Sequence, residues 1–291
     1  ASWTAYPTAA VDKSRGVNWR FVYTPETPGR YLLKVRPVTE DGEPSTLVAG
    51  FAFEALPAGG TYGDARIRAV GGSFRDARIF RSRELSNLTG EEAAFLSGAL
   101  GIATIYDLRT AAEVAAHPEP YIVGMRTVAL EPSTEHRRKD SDKRLIAGVI
   151  ERYGEPEERM GANYRRYVRE YPLVGQALRS MAAERRPALI HCVNGKDRTG
   201  VLCATLLRAT GADEDTIMED YLRVNTDHAD LIAEEAAHLD GGMTDHERAI
   251  LMSFLEARPA YLRAYFDEID RLYGSFATYL REGLHLSLIH I

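Results

Sequence analysis

The spacing of apolar positions changes character along the chain. Over residues 1–56 they come in short runs rich in aromatic and β-branched side chains. These are Trp19-Arg20-Phe21-Val22-Tyr23, Arg30-Tyr31-Leu32-Leu33-Lys34-Val35-Arg36 and Leu47 to Phe53. Turn clusters separate them, at Pro25 to Gly29 and at Asp41-Gly42 to Ser45. Such runs predict three strands. They fit the later strands of a small immunoglobulin-like sandwich with its start cut away, and a simple β-meander as well. Leu56-Pro57-Ala58-Gly59-Gly60-Thr61 reads as a linker.

From residue 62 short apolar runs alternate with helical patterns. Arg78-Ile79-Phe80, Ile102-Ala103-Thr104-Ile105-Tyr106, Met125 to Leu130 and Pro187-Ala188-Leu189-Ile190 predict buried strands. Thr89…Glu92 and Thr110…Glu113 match a capping box, in which the hydroxyl and the carboxylate each satisfy a free N–H at a helix start. The alternation predicts an α/β domain with a mostly parallel central sheet flanked by helices. Beyond residue 200 the pattern is helical. Thr244…Glu247 caps a helix that carries Ile250, Leu251, Phe254 and Leu255 on one face, and Pro259 should end it at Arg258. Leu262, Tyr265, Phe266, Ile269, Leu272 and Tyr273 form the next stripe, ended by Gly274. The predicted organisation is a partial β-sandwich-like segment with its linker over 1–61 and an α/β domain over 62–285. The tail 286–291, Leu286-Ser287-Leu288-Ile289-His290-Ile291, resembles a translated sequencing adapter to be set aside from the fold, with a natural apolar end docking on the core as the alternative.

Composition narrows the function classes. The 291 residues are 45% hydrophobic and 27% charged, an ordinary globular balance. Formal charge is 36 − 42 = −6, which gives no basic footprint for general nucleic-acid binding. No apolar run reaches the roughly 20 residues of a membrane helix. Two cysteines cannot build a disulfide framework. The chain opens on Ala1-Ser2-Trp3 without a signal-type segment, so the compartment is left open; the β segment hints at export.

The chemistry concentrates in His191-Cys192-Val193-Asn194-Gly195-Lys196-Asp197-Arg198-Thr199-Gly200. A short apolar strand precedes it and an amphipathic helix, Val201 to Ala209, follows. A strand, a tight loop and a helix start turn backbone N–H groups inward, and the helix dipole adds positive potential. That is a socket for a tetrahedral anion. The backbone of Val193 to Thr199 would line it. Inward amides and an arginine favour thiolate over thiol, so Cys192 would be nucleophilic at neutral pH. Arg198 offers a planar fork for two phosphoryl oxygens. Gly195 permits a left-handed turn, Lys196 adds a point charge near the rim, and Thr199 could hydrogen-bond the sulfur as it leaves. A Cys, five residues, an Arg and a Ser/Thr occur by chance in roughly 3% of chains this long; requiring His191, Gly195 and Gly200 lowers this to the order of a few per million.

This loop resembles the signature of the cysteine-dependent protein-tyrosine-phosphatase superfamily, and more narrowly that of bacterial tyrosine phosphatases of the mycobacterial secreted type. Arg68-Ala69-Val70-Gly71-Gly72, Arg78-Ile79-Phe80-Arg81-Ser82, Glu84-Leu85-Ser86, Asp107-Leu108-Arg109, Asp220-Tyr221-Leu222 and Tyr273-Gly274-Ser275 resemble further elements of that family. The resemblance runs over about 64–285. It implies an α/β fold, a phosphoric monoester hydrolase with a phosphocysteine intermediate, and no metal or cofactor. It implies phosphotyrosine, and phosphoserine/threonine proteins or phosphoinositides beside it, as substrates. Position 69 is Ala where the family usually has Asp, so a tuning or structural effect is expected there.

The reaction needs an acid for the leaving oxygen, a contribution of about 10²–10⁴-fold. Asp197 lies inside the loop, and superfamily members with Asp there are thought to use it. Asp107 ends a buried strand, where α/β sheets place functional groups, and otherwise would pair with Arg198 or Arg109. Asp197 is preferred. His191 would hydrogen-bond the loop backbone, with an acid–base role as the alternative. Cys203 reads as core, with a protective disulfide to Cys192 as the alternative. The basic run His136-Arg137-Arg138-Lys139, with Lys143 and Arg144, reads as a solvated loop, or as a lid or lipid contact. Residues 131–172, helical around Leu145–Tyr153 and Tyr164–Tyr171, could cover the site, and Tyr164 and Tyr167 could stack on an aryl phosphate or pack. The competing classes are a phosphate-binding module without turnover and an adhesion module built on the β segment.

Overall fold

The computed structural model describes residues 28–36, 41–44, 46, 49–57, 60–130, 156–170, 172–184, 186–239 and 244–286. The chain divides into two units, Ala1–Ala55 and Leu56–Ile291. In the first, β1 (Gly29–Val35) pairs antiparallel with β2 (Ala49–Ala55), with Tyr31 opposite Phe53 and Leu33 opposite Phe51. Both strands were expected, the second two residues earlier. The first predicted strand, Trp19–Tyr23, lies outside the described residues, and one hairpin does not make an immunoglobulin-like sandwich.

The second unit is α/β. Its strands are β3 (Arg68–Ala69), β4 (Ile79–Ser82), β5 (Thr104–Asp107), β6 (Arg126–Ala129) and β7 (Ala188–His191). They lie in the order β3-β4-β7-β5-β6. β4, β7, β5 and β6 run parallel, and β3 pairs antiparallel at the edge, so the sheet is mixed. Two residues of β3 are too few to show a period, which is why the sequence pattern passed over it.

Strand alternation divides the core. Phe80, Ile105 and Leu189 join a cluster with Ile67, Phe74, Phe95 and Leu96 on one face. Tyr106, Ala188 and Ile190 join a larger cluster of helices on the other. Each of the buried Phe, Ile and Leu side chains among these contributes about 1.5–3 kcal/mol. Ala69 belongs to the first cluster, opposite Phe80, and is buried. A carboxylate there would face apolar side chains, so its absence costs the site nothing visible.

The helices are α1 (Gly90–Ala94, running on as one π turn), α2 (Ala111–Ala116), α3 (Pro156–Glu170), α4 (Pro172–Ala183), α5 (Asp197–Ala209), α6 (Glu214–Asp227), α7 (Ala229–Leu239), α8 (Asp245–Leu255), α9 (Pro259–Tyr273) and α10 (Phe276–Thr278, followed by a π turn). The three capping boxes at Thr89, Thr110 and Thr244 are all formed. α8 stops at Leu255, three residues before the expected Arg258, and Pro259 instead opens α9 at its first turn. Gly274 ends α9 in the left-handed conformation at φ 72°. The basic run and Leu145–Tyr153 lie outside the described residues. In the described part of the expected lid, α3, Met160 and Tyr164 are core residues. Leu286, first residue of the expected adapter tail, is also buried, and its N–H donates to the Leu280 carbonyl; the rest of that tail lies outside the described residues.

Candidate active site

The parallel register brings three strand ends level. Ser82 and Asp107 both pair with His191, the last residue of β7. The segments after β4 and β5 therefore wall in the loop after β7, at the carboxyl edge of the sheet. From β5 the Leu108 N–H donates to the His191 carbonyl at 2.9 Å. From β4 the Glu84 N–H donates to the Val193 carbonyl at 3.0 Å. Arg81 Nη2 donates to the Gly195 carbonyl at 2.7 Å.

Those two carbonyl contacts orient the amides. The peptides are trans, so N–H and C=O of one peptide point in opposite directions. With the Val193 and Gly195 carbonyls taken from outside, the Asn194 and Lys196 N–H groups turn to the opposite face of the loop. α5 begins at once, at Asp197, and adds its positive end. Gly195 makes the turn possible at φ 62°. A Cβ there would stand 2.3 Å from the Ser82 carbonyl oxygen, part of the fixed strand. Gly195→Ala is therefore expected to cost about 1–3 kcal/mol from the left-handed backbone alone, and to push the loop off β4. Denaturant unfolding and orthophosphate affinity should both fall; unchanged affinity would mean that the loop tolerates the displacement.

Cys192 is buried and free, among Leu108, Val201 and Leu202 in the larger cluster. Arg198 donates to the Leu108 carbonyl at 2.9 Å and, through both Nη atoms, to the two Glu113 carboxylate oxygens at 2.6 and 2.8 Å. Glu113 is also the capping residue of α2, its Oε2 accepting from the Thr110 N–H at 2.8 Å. Burial would raise the Glu113 carboxyl, but the Arg198 hydrogen bonds and charge hold it below the ordinary range. One carboxylate thus starts a helix and aims the arginine. Glu113 was read from the sequence only as a cap. Glu113→Gln keeps a side chain suited to that cap and removes the charge. We expect kcat/KM for an aryl phosphate to fall roughly tenfold to a hundredfold, the equivalent of about 1.5–3 kcal/mol for a charge-assisted hydrogen bond. An unchanged kcat/KM would show that Arg198 orients itself.

Asp197 accepts from the Tyr164 hydroxyl at 2.8 Å, and that hydroxyl shares a 2.7 Å hydrogen bond with Tyr221. Burial, then the Asp197 charge, pushes both phenols well above their usual range, so they stay neutral. Of the two tyrosines offered for stacking, Tyr164 packs and serves Asp197, and Tyr167 packs beside it with ring centroids 5.4 Å apart. Thr199 is fully buried, and its Oγ1 has no partner among the described residues.

Lys196 departs from its expected place at the rim. It is buried, and its ammonium donates to the Phe254 carbonyl and, at 3.1 Å, to the Glu256 carbonyl, at the end of α8. A lysine there satisfies helix-end carbonyls and meets the negative dipole end.

Asp107 faces Arg109. Arg109 Nε donates to its two oxygens at 3.0 and 3.2 Å, Nη2 adds 2.9 Å, and the Arg109 N–H adds 3.0 Å. Burial would raise the Asp107 carboxyl, and these bonds, with the charges of His191 and Arg109, hold it below the ordinary range instead. Arg109 also pairs with Glu84 and Glu119. His191 Nδ1 meets the Cys192 carbonyl at 3.3 Å, and its Nε2 has no hydrogen-bond partner among the described residues. Asp107, Glu119 and His191 come within 4.8 Å of one another, close enough for a metal, but the Arg109 guanidinium already bridges both carboxylates. Cys203 is buried and free, its thiol pushed up to about 12 by burial, as a core cysteine should be.

The sequence model of the tyrosine phosphatase family matches residues 62–290. The triple specificity protein phosphatase PtpB of Mycobacterium tuberculosis is 31% identical over 262 residues, covering 80% of this chain and 94% of the relative. A putative tyrosine-protein phosphatase of Cupriavidus necator is 26% identical over 235 residues, covering 77% of this chain and 80% of its own. Among solved structures, TpbA of P. aeruginosa is 19% identical with a TM-score of 0.32, covering 67% of this chain and 98% of that one. With the family match spanning most of its length and the mycobacterial relative aligned nearly end to end, the chain belongs to the tyrosine phosphatase family.

Proposed function

We propose that the chain hydrolyses phosphoric monoesters through a phosphocysteine, with phosphotyrosine proteins as the first substrate class. The observation that carries this is the loop after β7. Its carbonyls are held from outside by Glu84 and Arg81, its amides turn the other way, and Cys192 and Arg198 stand at its two ends.

In the first step the Cys192 sulfur attacks phosphorus. An S–P bond forms, the ester P–O bond breaks, and the leaving oxygen takes a proton from Asp197. In the second step water attacks phosphorus, Asp197 takes back a proton, and the thiolate leaves with the S–P electron pair. The loop amides and Arg198 stabilise the charge that builds on the equatorial oxygens in both steps. Thr199 Oγ1, a buried hydroxyl without a partner among the described residues, suits the departing sulfur. Asp197 is supported as the acid because its carboxylate accepts from a neutral phenol at 2.8 Å, with Lys196 Nζ farther off at 3.6 Å. Asp107, bound on several sides by Arg109, suits the structural role better. No metal or cofactor enters this scheme.

The name of the mycobacterial relative, a triple specificity phosphatase, favours a wider substrate range, with phosphoserine/threonine or phosphoinositides beside phosphotyrosine. Lys196 argues against the lipid as the preferred substrate, since its ammonium is committed to α8 carbonyls. Nucleic acid is not proposed as a partner, and a membrane surface would enter only with a lipid substrate. A substrate panel on the wild type and Cys192→Ser tests the reading. Phosphotyrosine peptide turned over faster than inositol lipid, and lost in the variant, is the expected outcome. The reverse order would make the chain a lipid phosphatase, and no turnover of any ester would leave a phosphate-binding module.

A further inference from the structure

Three residues that the sequence places in separate motifs meet in one buried cluster. Arg68 comes from β3, Arg81 from β4 and Asp220 from α6, and all three are buried. Asp220 Oδ1 accepts from Arg68 Nη1 at 2.6 Å, and its Oδ2 accepts from Arg81 Nη1 at 2.8 Å. Arg68 Nη2 also donates to the Asp220 carbonyl at 2.6 Å, and Arg68 Nε lies 2.9 Å from Asp227. The free arm of Arg81 reaches the phosphate loop, at the Gly195 carbonyl.

Stability alone does not account for such a cluster. Burying charges is costly, and apolar side chains of similar volume often do as well or better. The cluster does fix one peptide of the loop, the one whose N–H turns toward the anion. It also puts a permanent cation beneath that loop. Burial works against the Arg81 charge; the two sulfur positions, Cys203 and Cys192, and the Asp220 carboxylate favour it. Cys203 is a core thiol held neutral, and Arg81 is bonded to the loop that Cys192 opens, through the Gly195 carbonyl.

We propose that Arg81 is a positioning residue of this site: it holds the Gly195 peptide in the anion-binding orientation and, with its charge set by Asp220, adds to the positive field in which the Cys192 sulfur reacts. The proposal deepens the phosphatase reading and rests on Cys192 being its nucleophile. Other groups bear on the same sulfur. Asp197 and Arg198 open α5, His191 ends β7, Asp107 ends β5, and Arg68 and His228 lie in the field of the cluster. All of these stay unchanged across the variants below, so the comparison isolates the cluster.

The test is alkylation of Cys192 by iodoacetamide as a function of pH in the full chain, read by mass on the peptide that carries Cys192. Arg81→Met removes the charge and should raise the reaction midpoint by about one pH unit, a tenfold loss of thiolate at pH values below it. Arg81→Lys should recover most of that shift. Asp220→Asn leaves the arginine charge less compensated and should move the midpoint the opposite way, downward. A role in packing alone predicts no movement, or an upward movement in every variant as the loop loosens. Either result would overturn the proposal. Should Arg81→Met fail to fold, the downward shift of Asp220→Asn against a near-wild-type Arg81→Lys still decides it. The acid limb of kcat/KM for an aryl phosphate should move with the alkylation midpoint. Alkylation needs no turnover, so the two readings fail separately. A wild type that hydrolyses no ester would sink the phosphatase assignment, whereas fixed midpoints in an active enzyme would sink only the role of Arg81.

Discussion

Cys192→Ser is expected to lose phosphatase turnover by at least about 10⁴-fold while still binding orthophosphate. The reason is a division of labour within the loop. Attack on phosphorus needs an anionic sulfur, and a serine hydroxyl in the same place stays protonated at neutral pH. Removing a nucleophile has cost on the order of 10⁶ in kcat where it has been measured in other enzymes, so the lower bound is conservative. On the proposed reading, anion binding comes instead from the backbone amides, the start of α5 and Arg198, none of which the substitution alters. Cys192 is buried, so the serine places a hydroxyl among apolar neighbours at a cost of about 1–3 kcal/mol. The expected pattern is therefore lost kcat, retained phosphate affinity by calorimetry and a modest drop in stability. Residual activity within tenfold of wild type would move the nucleophile elsewhere.

The second large effect belongs to Asp197. Asp197→Asn keeps an acceptor for the Tyr164 hydroxyl and removes the proton that the leaving group needs. The expected loss is about 10²–10⁴-fold, graded by leaving group. Alkyl phosphates should suffer most, and nitrophenyl phosphate, whose phenolate leaves unaided, least. Asp107→Asn separates the two carboxylates. It should weaken the grip of Arg109 on the end of β5 and lower stability, without any dependence on leaving group. Folded Asp107 titrates below its ordinary range, so its contribution to stability is present above the unfolded carboxyl pKa and fades as pH falls through the folded value. That loss on acidification should vanish in Asp107→Asn. Normal rates of Asp197→Asn on alkyl phosphates would remove it as the acid.

Much of this was legible before the fold was known, and what was missed has a common cause. Strands β4 to β7, the capping boxes and the Gly274 helix stop follow from patterns local to a few residues, and so does the loop from His191 to Gly200. The partners that aim its side chains are not local. Glu113 lies 85 residues from Arg198, Tyr164 lies 33 residues from Asp197, and Asp220 lies 139 residues from Arg81. No period or spacing relates such positions, although the quoted motifs already held Arg81 and Asp220. Lys196 was misjudged for a related reason. A lysine in a loop reads as solvated until the end of another helix, α8, is found to need its protons. Ala69 shows the converse: its departure from the family pattern looked chemical, but its position in the apolar cluster makes it a packing matter.

The most direct measurement is acid quenching within the first turnover, with a phosphotyrosine peptide in excess, followed by mass analysis of the digested chain. One added phosphoryl group should be found on the peptide containing Cys192, accumulating further in Asp197→Asn if return of the thiolate becomes slow. Peptides showing steady hydrolysis with no phosphoryl group on that sulfur at any quench time, or with it on another residue, would contradict the account.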